Sequence, residues 1–298
     1  MAPHQIPAPR AEGFTTSTPI PLYWARWGPE GRDPIVVLHG GPGASHDYLL
    51  PQLLDLANSH DSLFYDQRGG GRSKTDDRTP ITWEVQVADL ARLLHEHGQR
   101  APTLVGYSWG ALLAMLYTIE AAAGRIAPLP ARLVLLDPAP ISRAWREAFE
   151  QEFAARQSSA AVAALRAELA ASGLRESAPD AYRQRTFELS VAGYFADPHR
   201  ATDLTPFCVT GRVQQSIWAS LGDFDLTPAL HDVGALRIPT LIVHGRQDPI
   251  PLASSEAAAR AMGATLVTLE DCGHVPYVEQ QEQLLAAIRS HLGHPADS

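Results

Sequence analysis

The sequence predicts a mostly parallel β-sheet flanked by helices on both faces, with an inserted helical cap. Short apolar, β-branched runs alternate with longer helical patterns along most of the chain. Several runs are apolar throughout, as in Ile35-Val36-Val37-Leu38, which suits a parallel strand covered on both faces. The alternation stops over residues 139–231 and resumes at Ile238-Pro239-Thr240, so the irregular stretch interrupts the sheet instead of following it.

Strands are expected over residues 20–27, 34–39, 62–66, 103–107, 132–137, 240–244 and 265–270. Between them, Val87, Leu90, Ala91 and Leu94 fall at helical spacing, and Leu285, Ile288 and Leu292 repeat the stripe near the C-terminus; both stripes read as core-facing helix faces. The interrupting stretch has no convincing buried strand. It carries an alanine-rich helical pattern with Trp145, Phe149 and Phe153 on one face, then a helix stop at Ser172-Gly173 and a turn at Ala196-Asp197-Pro198. The expected organisation is a core over residues 1–138, a helical cap over 139–231, and the rest of the core over 232–298.

A chain of 298 residues accommodates such a core with an inserted subdomain. With 45% hydrophobic and 19% charged residues it has an ordinary globular composition. No apolar run approaches the roughly 20 residues that span a bilayer. The N-terminal MAPHQIPAPR lacks a basic region followed by an apolar one, so the expectation is a cytoplasmic protein without membrane attachment. A net charge of −9, with Lys74 the only lysine and no basic run, argues against nucleic-acid binding. Cys208 and Cys272 are too few for a disulfide framework and read as free thiols.

Gly106-Tyr107-Ser108-Trp109-Gly110 is the strongest local signal. It follows an apolar strand and opens the helix-forming run Ala111-Leu112-Leu113-Ala114-Met115-Leu116. Such a turn holds a serine at a strained strand-to-helix corner with its hydroxyl projecting. A serine hydroxyl is a weak nucleophile, so it needs a base, and the base needs an orienting acid. Asp248 and His274 each follow a predicted strand, placing them at the same carboxyl edge of the sheet as Ser108. The order Ser…Asp…His is that of α/β-hydrolases. Asp248 is the preferred acid; Asp137, at the end of the strand over 132–137, is the rival. His39-Gly40-Gly41-Pro42-Gly43 is placed to give a developing oxyanion one backbone donor, so the expected pair is the amides of Gly41 and Trp109, with His39 bracing the loop. Gly69-Gly70-Gly71-Arg72-Ser73 lacks the Gly-Lys-Ser/Thr ending of a phosphate loop. No metal-ligand spacing appears, and neither cofactor nor metal is expected.

Taken in order, His39-Gly40-Gly41-Pro42-Gly43, Asp66-Gln67-Arg68-Gly69-Gly70-Gly71-Arg72-Ser73, Ser108-Trp109-Gly110, Gly245-Arg246-Gln247-Asp248 and Gly273-His274 resemble the motif set of proline iminopeptidases. These belong to the α/β-hydrolase superfamily and remove N-terminal proline from peptides. The resemblance covers the core from about Asp33 onward. A serine in the elbow separates the chain from haloalkane dehalogenases and epoxide hydrolases, which use an aspartate nucleophile. The resemblance implies Ser108 as nucleophile, Asp248 as acid, His274 as base, and Gly41 and Trp109 as the oxyanion hole. Tyr107 departs from the family, which more often has glycine there. An aminopeptidase must also hold a protonated N-terminus, which calls for partly buried carboxylates in a region of low dielectric. In the family these are cap glutamates; Glu188 is the leading candidate here, followed by Glu152, Asp223 and Asp225.

The resulting expectation is a serine hydrolase that removes a first residue, proline above others, from short peptides or amides. An esterase, lactonase or acyl-amidase on the same core is the alternative, and a non-catalytic ligand receptor is a more distant one.

Overall fold

The computed structural model describes residues 6–293; the five residues at each end, which include the first half of MAPHQIPAPR, lie outside the described residues. Eight strands form one sheet: β1 (Ala11–Phe14), β2 (Tyr23–Trp27), β3 (Ile35–Leu38), β4 (Ser62–Tyr65), β5 (Thr103–Tyr107), β6 (Arg132–Leu136), β7 (Thr240–Gly245) and β8 (Thr265–Leu269). Their spatial order is β1-β2-β4-β3-β5-β6-β7-β8. The β1–β2 and β2–β4 pairs are antiparallel and the rest parallel. All seven expected strands are present; β5 has the expected bounds, β7 runs one residue further, to Gly245, and the other five are shorter than expected. His39, Asp66, Asp137 and Glu270 fall just beyond the carboxyl ends of their strands. Strand β1 was not expected. It is a four-residue edge strand with alternating partial exposure and an exposed Phe14, too short and too wet to carry a hydrophobic pattern.

The helices are α1 (Trp83–Glu96), α2 (Trp109–Ala122), α3 (Arg143–Gln157), α4 (Ala160–Ala171), α5 (Leu174–Ser177), α6 (Pro179–Val191), α7 (Gly211–Leu221), α8 (Thr227–Gly234), α9 (Leu252–Met262), α10 (Pro276–Glu279) and α11 (Gln281–Leu292). Six of them, α3 to α8, lie between β6 and β7. The stop at Ser172-Gly173 ends α4, with Gly173 at φ +67° supplying the left-handed turn. Helix α8 packs Leu230 and Val233 beside α2 and α9, and α7 adds Val213 and Ile217 to the same core cluster. Among the described residues no helix is long and apolar enough to cross a membrane.

Successive strand residues point to opposite faces, and both faces are covered, which accounts for the unbroken apolar runs. Val36, Leu38, Leu104, Leu133, Leu135 and Ile242 pack with α1, α2 and α9, where the α1 stripe is buried. Ile35, Val37, Val105, Val134, Leu136, Leu241 and Val243 pack on the other face with the α11 stripe. Each fully buried aliphatic side chain contributes about 1.5–3 kcal/mol.

Helix α2 lies almost wholly buried and passes very close to β3: a Cβ on Gly110 would stand 2.0 Å from the Leu38 carbonyl oxygen. The Gly110→Ala variant is therefore expected to lose about 3 kcal/mol or more of stability, read as a lowered denaturant midpoint. An unchanged midpoint would contradict this close approach.

Candidate active site

Strand β5 turns into α2 at Ser108, whose φ of 53° and ψ of −117° lie far from helix and strand values. Such a conformation costs on the order of 1–3 kcal/mol and persists only where neighbours over-determine it. They do so here. The Ser108 amide donates to Leu136 O at 2.9 Å, and its carbonyl accepts from the amides of Ala111, Leu112 and Ala139 at 3.0, 3.2 and 3.1 Å. A Cβ on Gly106 would stand 2.5 Å from Gly110 O, so both glycines of the elbow are sterically required.

The imidazole of His274, in the loop after β8, reaches Ser108. Its Nε2 lies 2.9 Å from Ser108 Oγ, and its Nδ1 lies 2.7 Å from Asp248 Oδ2. Asp248, in the loop after β7, also accepts the Ile250 amide at 2.7 Å through Oδ1. The pairing with Asp248 puts the proton on Nδ1 and leaves Nε2 to accept the serine hydroxyl. Burial pushes His274 down to about 4, against the opposing influence of Asp137 and Glu279, so the imidazole is neutral at neutral pH. Asp137 is also buried beside this chain, but its Oδ1 is engaged by the Gly245 amide at 2.8 Å. Of the two carboxylates weighed from the sequence, Asp248 is the one bonded to the imidazole.

Three residues that the sequence did not single out as site residues fix the histidine loop. The Tyr107 hydroxyl donates to His274 O at 2.8 Å, and the His274 amide donates to Tyr194 O at 2.7 Å. The Tyr107 and Tyr194 rings stand 5.3 and 5.1 Å from the imidazole. Glu279 accepts the Gly273 amide at 2.7 Å and the Ala196 amide at 2.8 Å, tying the cap-side segment to the histidine loop. Tyr107 had been visible only as a departure from the family pattern. A lone glutamate at position 279 gave no signal.

The glycine-rich loops interlock with the elbow. A Cβ on Gly40 would come within 2.8 Å of Ser108 Cβ, and Gly41, at φ +51°, lines the same cavity as Ser108. The Trp109 amide sits at the first position of α2, where a helix offers no acceptor of its own. His39 is buried and neutral, its Nδ1 donating to Gly40 O at 2.9 Å and its Nε2 accepting the Gln67 amide at 3.0 Å. Gln67 completes the lock: its Nε2 donates to His39 O at 2.7 Å, and its Oε1 accepts from Trp109 Nε1 at 2.9 Å. A Cβ on Gly70 would stand 1.9 Å from Ala44 O, so the second glycine run serves close packing against the first.

Ser108 and His274 open into a cavity of about 290 Å³. Its lining is dominated by Tyr48, Tyr107, Phe187, Tyr194, Phe207 and Tyr277, with Ser190 and Gln214 among the few other polar side chains and no carboxylate among the described residues. The cap carboxylates singled out from the sequence are elsewhere. Phe187, Ser190 and Val191 form the face of α6 that lines the cavity, and Glu188 points off that face. It is buried against Leu165 and Pro198 in a separate hollow, ion-paired with Arg185 and accepting from Gln184 at 3.0 Å. Glu152 is exposed and paired with Arg156 at 2.7 Å. Asp223 and Asp225 are exposed in the turn after α7, where Asp225 accepts the Thr227 amide at 2.9 Å.

Residues 35–288 match the alpha/beta hydrolase family. The chain therefore belongs to that family. A proline iminopeptidase of Lactobacillus crispatus (strain ST1) is 30% identical over 281 residues, covering 88% of this chain and 90% of the relative, in keeping with the resemblance carried by the motifs. Among solved structures, a proline iminopeptidase-related protein from Thermus thermophilus superposes with a TM-score of 0.70 at 22% identity, over 95% of this chain and 97% of its own. A proline iminopeptidase from Mycobacterium smegmatis gives 0.67 at 20% identity, over 95% and 98%. At these identities the two structures speak to the fold alone.

Replacing Gln67 with leucine would strand the His39 carbonyl and the Trp109 indole N–H in a dry region. At about 1–3 kcal/mol for each unpaired buried group, Gln67→Leu is expected to lose roughly 2–6 kcal/mol of stability. Thermal or denaturant unfolding reads this, and a variant as stable as the parent would contradict the lock.

Proposed function

We propose that the protein is a serine hydrolase that acylates Ser108 with the acyl group of an ester or amide whose acyl portion is uncharged and largely apolar. The first half of this reading rests on the continuous Ser108–His274–Asp248 hydrogen-bond chain. The second rests on a single observation, the aromatic, carboxylate-free lining of the cavity into which Ser108 opens. Such a lining favours apolar surface and offers no counter-charge for a buried ammonium.

In this reading His274 Nε2 takes the Ser108 proton as Oγ attacks the carbonyl carbon. The tetrahedral oxyanion is met by the amides of Gly41 and Trp109, each donor of this kind being worth about 2.7–4 kcal/mol. The imidazolium, held by Asp248, passes its proton to the leaving alcohol or amine. Water, deprotonated by the same imidazole, then releases the acid and restores the hydroxyl.

A second reading, removal of N-terminal proline, is supported by the 30% identity to the Lactobacillus crispatus proline iminopeptidase along most of both chains. The two readings part on the substrate's amine. Proline p-nitroanilide and its N-acetyl form separate them: the cavity lining predicts the higher kcat/KM for the acetylated compound, and the aminopeptidase reading predicts turnover of the free amine alone.

The Ser108→Ala variant is expected to lose on the order of 10⁴-fold or more in kcat on every substrate while keeping the parent's unfolding curve. Parental turnover in that variant would remove Ser108 from the chemistry. Only the neutral imidazole is a base, and burial holds His274 below its ordinary value of 6.5, to about 4. The kcat/KM profile should therefore stay flat as pH falls through 6.5 and drop only as the medium approaches the lowered value. An acidic limb at or above 6.5 would contradict a depressed imidazole.

A further inference from the structure

Asp137 stands just past β6 with φ +38°, fully buried. Its Oδ1 accepts the Gly245 amide at 2.8 Å, whereas no donor among the described residues faces its Oδ2. A carboxylate oxygen of Asp137, one of Asp248 and a ring nitrogen of His244 lie within 4.8 Å of one another. His244 does not supply a cation between them. Its Nδ1 accepts the Ser255 hydroxyl at 2.9 Å and its Nε2–H donates to Ile250 O at 3.1 Å, so both nitrogens are occupied by neutral-ring bonds. The same occupancy argues against a metal ion held by these three side chains. The remaining titratable groups around Asp137 are His274, Tyr107, Tyr277 and Cys272; burial keeps the imidazole unprotonated and the two hydroxyls and the thiol protonated.

Arg156 acts on Asp248 and favours its charge while Glu279 opposes it, and among the described residues no arginine or lysine acts on Asp137. Two carboxylates in so dry a pocket do not both stay ionised. Asp248 accepts two N–H bonds, from Ile250 and His274, and Asp137 accepts one. Burial raises Asp248 to about 8, but Asp137, the Ile250 amide and Arg156 oppose the rise, so of the two carboxyls Asp248 is the one that carries the negative charge. Burial raises the Asp137 carboxyl well above the usual carboxylate range, and the charge on Asp248 raises it further.

We propose that Asp137 is a permanently neutral carboxylic acid whose Oδ2–H donates to the Asp248 carboxylate, making it a positioning residue for the base. This rests on the reading of Asp248 as the acid that orients His274. The third donor fixes which oxygen of Asp248 meets the imidazole and lowers the basicity of that carboxylate. The proton taken from Ser108 then stays on His274 until it reaches the leaving group.

Infrared spectroscopy of the resting enzyme tests the proton directly, without turnover. The expected result is a protonated-carboxyl C=O band at neutral pH that shifts on carbon-13 aspartate labelling and vanishes in Asp137→Asn. An enzyme with no such aspartate band overturns the proposal even if Ser108 proves to be the nucleophile. Kinetics give the second arm. Asp137→Leu is expected to lose on the order of 10–100-fold in kcat, and Asp137→Asn, which keeps a donor toward Asp248, to recover to within about fivefold of the parent. Asp248→Asn is expected to lose on the order of 10⁴-fold. The proposal fails if Asp137→Asn falls as far as Asp248→Asn, because an ionised Asp137 would then be the group that supports the base. If no substrate is ever found, the band alone decides.

Discussion

One imidazole ring must meet groups delivered by two other strand ends, and most of the unusual local structure follows from that constraint. Ser108 arrives from β5, Asp248 from β7 and His274 from β8, and both bonds to the ring close at hydrogen-bond distance. For Ser108 to project far enough, its backbone adopts a strained conformation, which the amides of Ala111, Leu112 and Ala139 hold in place. For the ring to stay put, its loop is fastened by Tyr107, Tyr194 and Glu279, two of them reaching from outside the sheet's end. The glycines crowded around the elbow are the steric counterpart of the same requirement.

Burial governs the electrostatics of the site. It keeps His274, His39 and His244 neutral, so the ring bonded to Ser108, the loop brace and the ring beneath Asp248 carry no charge at neutral pH. It also raises both neighbouring carboxyls, Asp137 and Asp248, and the proposed sharing of one proton between them follows from that. The cavity continues the theme, with aromatic rings in place of the cap carboxylates that binding of a free amine calls for. The chain thus shares the fold of its proline iminopeptidase relatives, and the carboxylates expected to hold a free amine do not line this cavity.

The core was legible because its signals are local. Fully apolar strands identify a two-sided sheet, and Gly-x-Ser-x-Gly between a strand and a helix marks a strained elbow whose close approaches only glycine permits. Strand ends place Asp248 and His274 at the same edge as Ser108 but place Asp137 there too, and only the folded geometry shows that Asp248 is the one bonded to the imidazole. Strand β1 escaped notice because a short exposed edge strand has no apolar pattern to read. Glu188 was misplaced for a different reason: it neighbours Phe187 on α6, and about 100° of helical rotation separates lining the cavity from facing another hollow. That phase is set by how α6 packs, which composition does not encode. Tyr194 and Glu279 act through backbone and carboxylate bonds across long sequence separations, and Asp137's protonation depends on a neighbour that is distant in sequence and adjacent only after folding.

The central claim is that Ser108 becomes covalently acylated during turnover. Intact-protein and peptide mass spectrometry, on enzyme acid-quenched while hydrolysing a p-nitrophenyl ester, tests it most directly. The account predicts one added acyl mass on the peptide containing Ser108, absent when serine is replaced by alanine. Steady turnover with no acyl mass on that peptide, or with the mass on another residue, would contradict it.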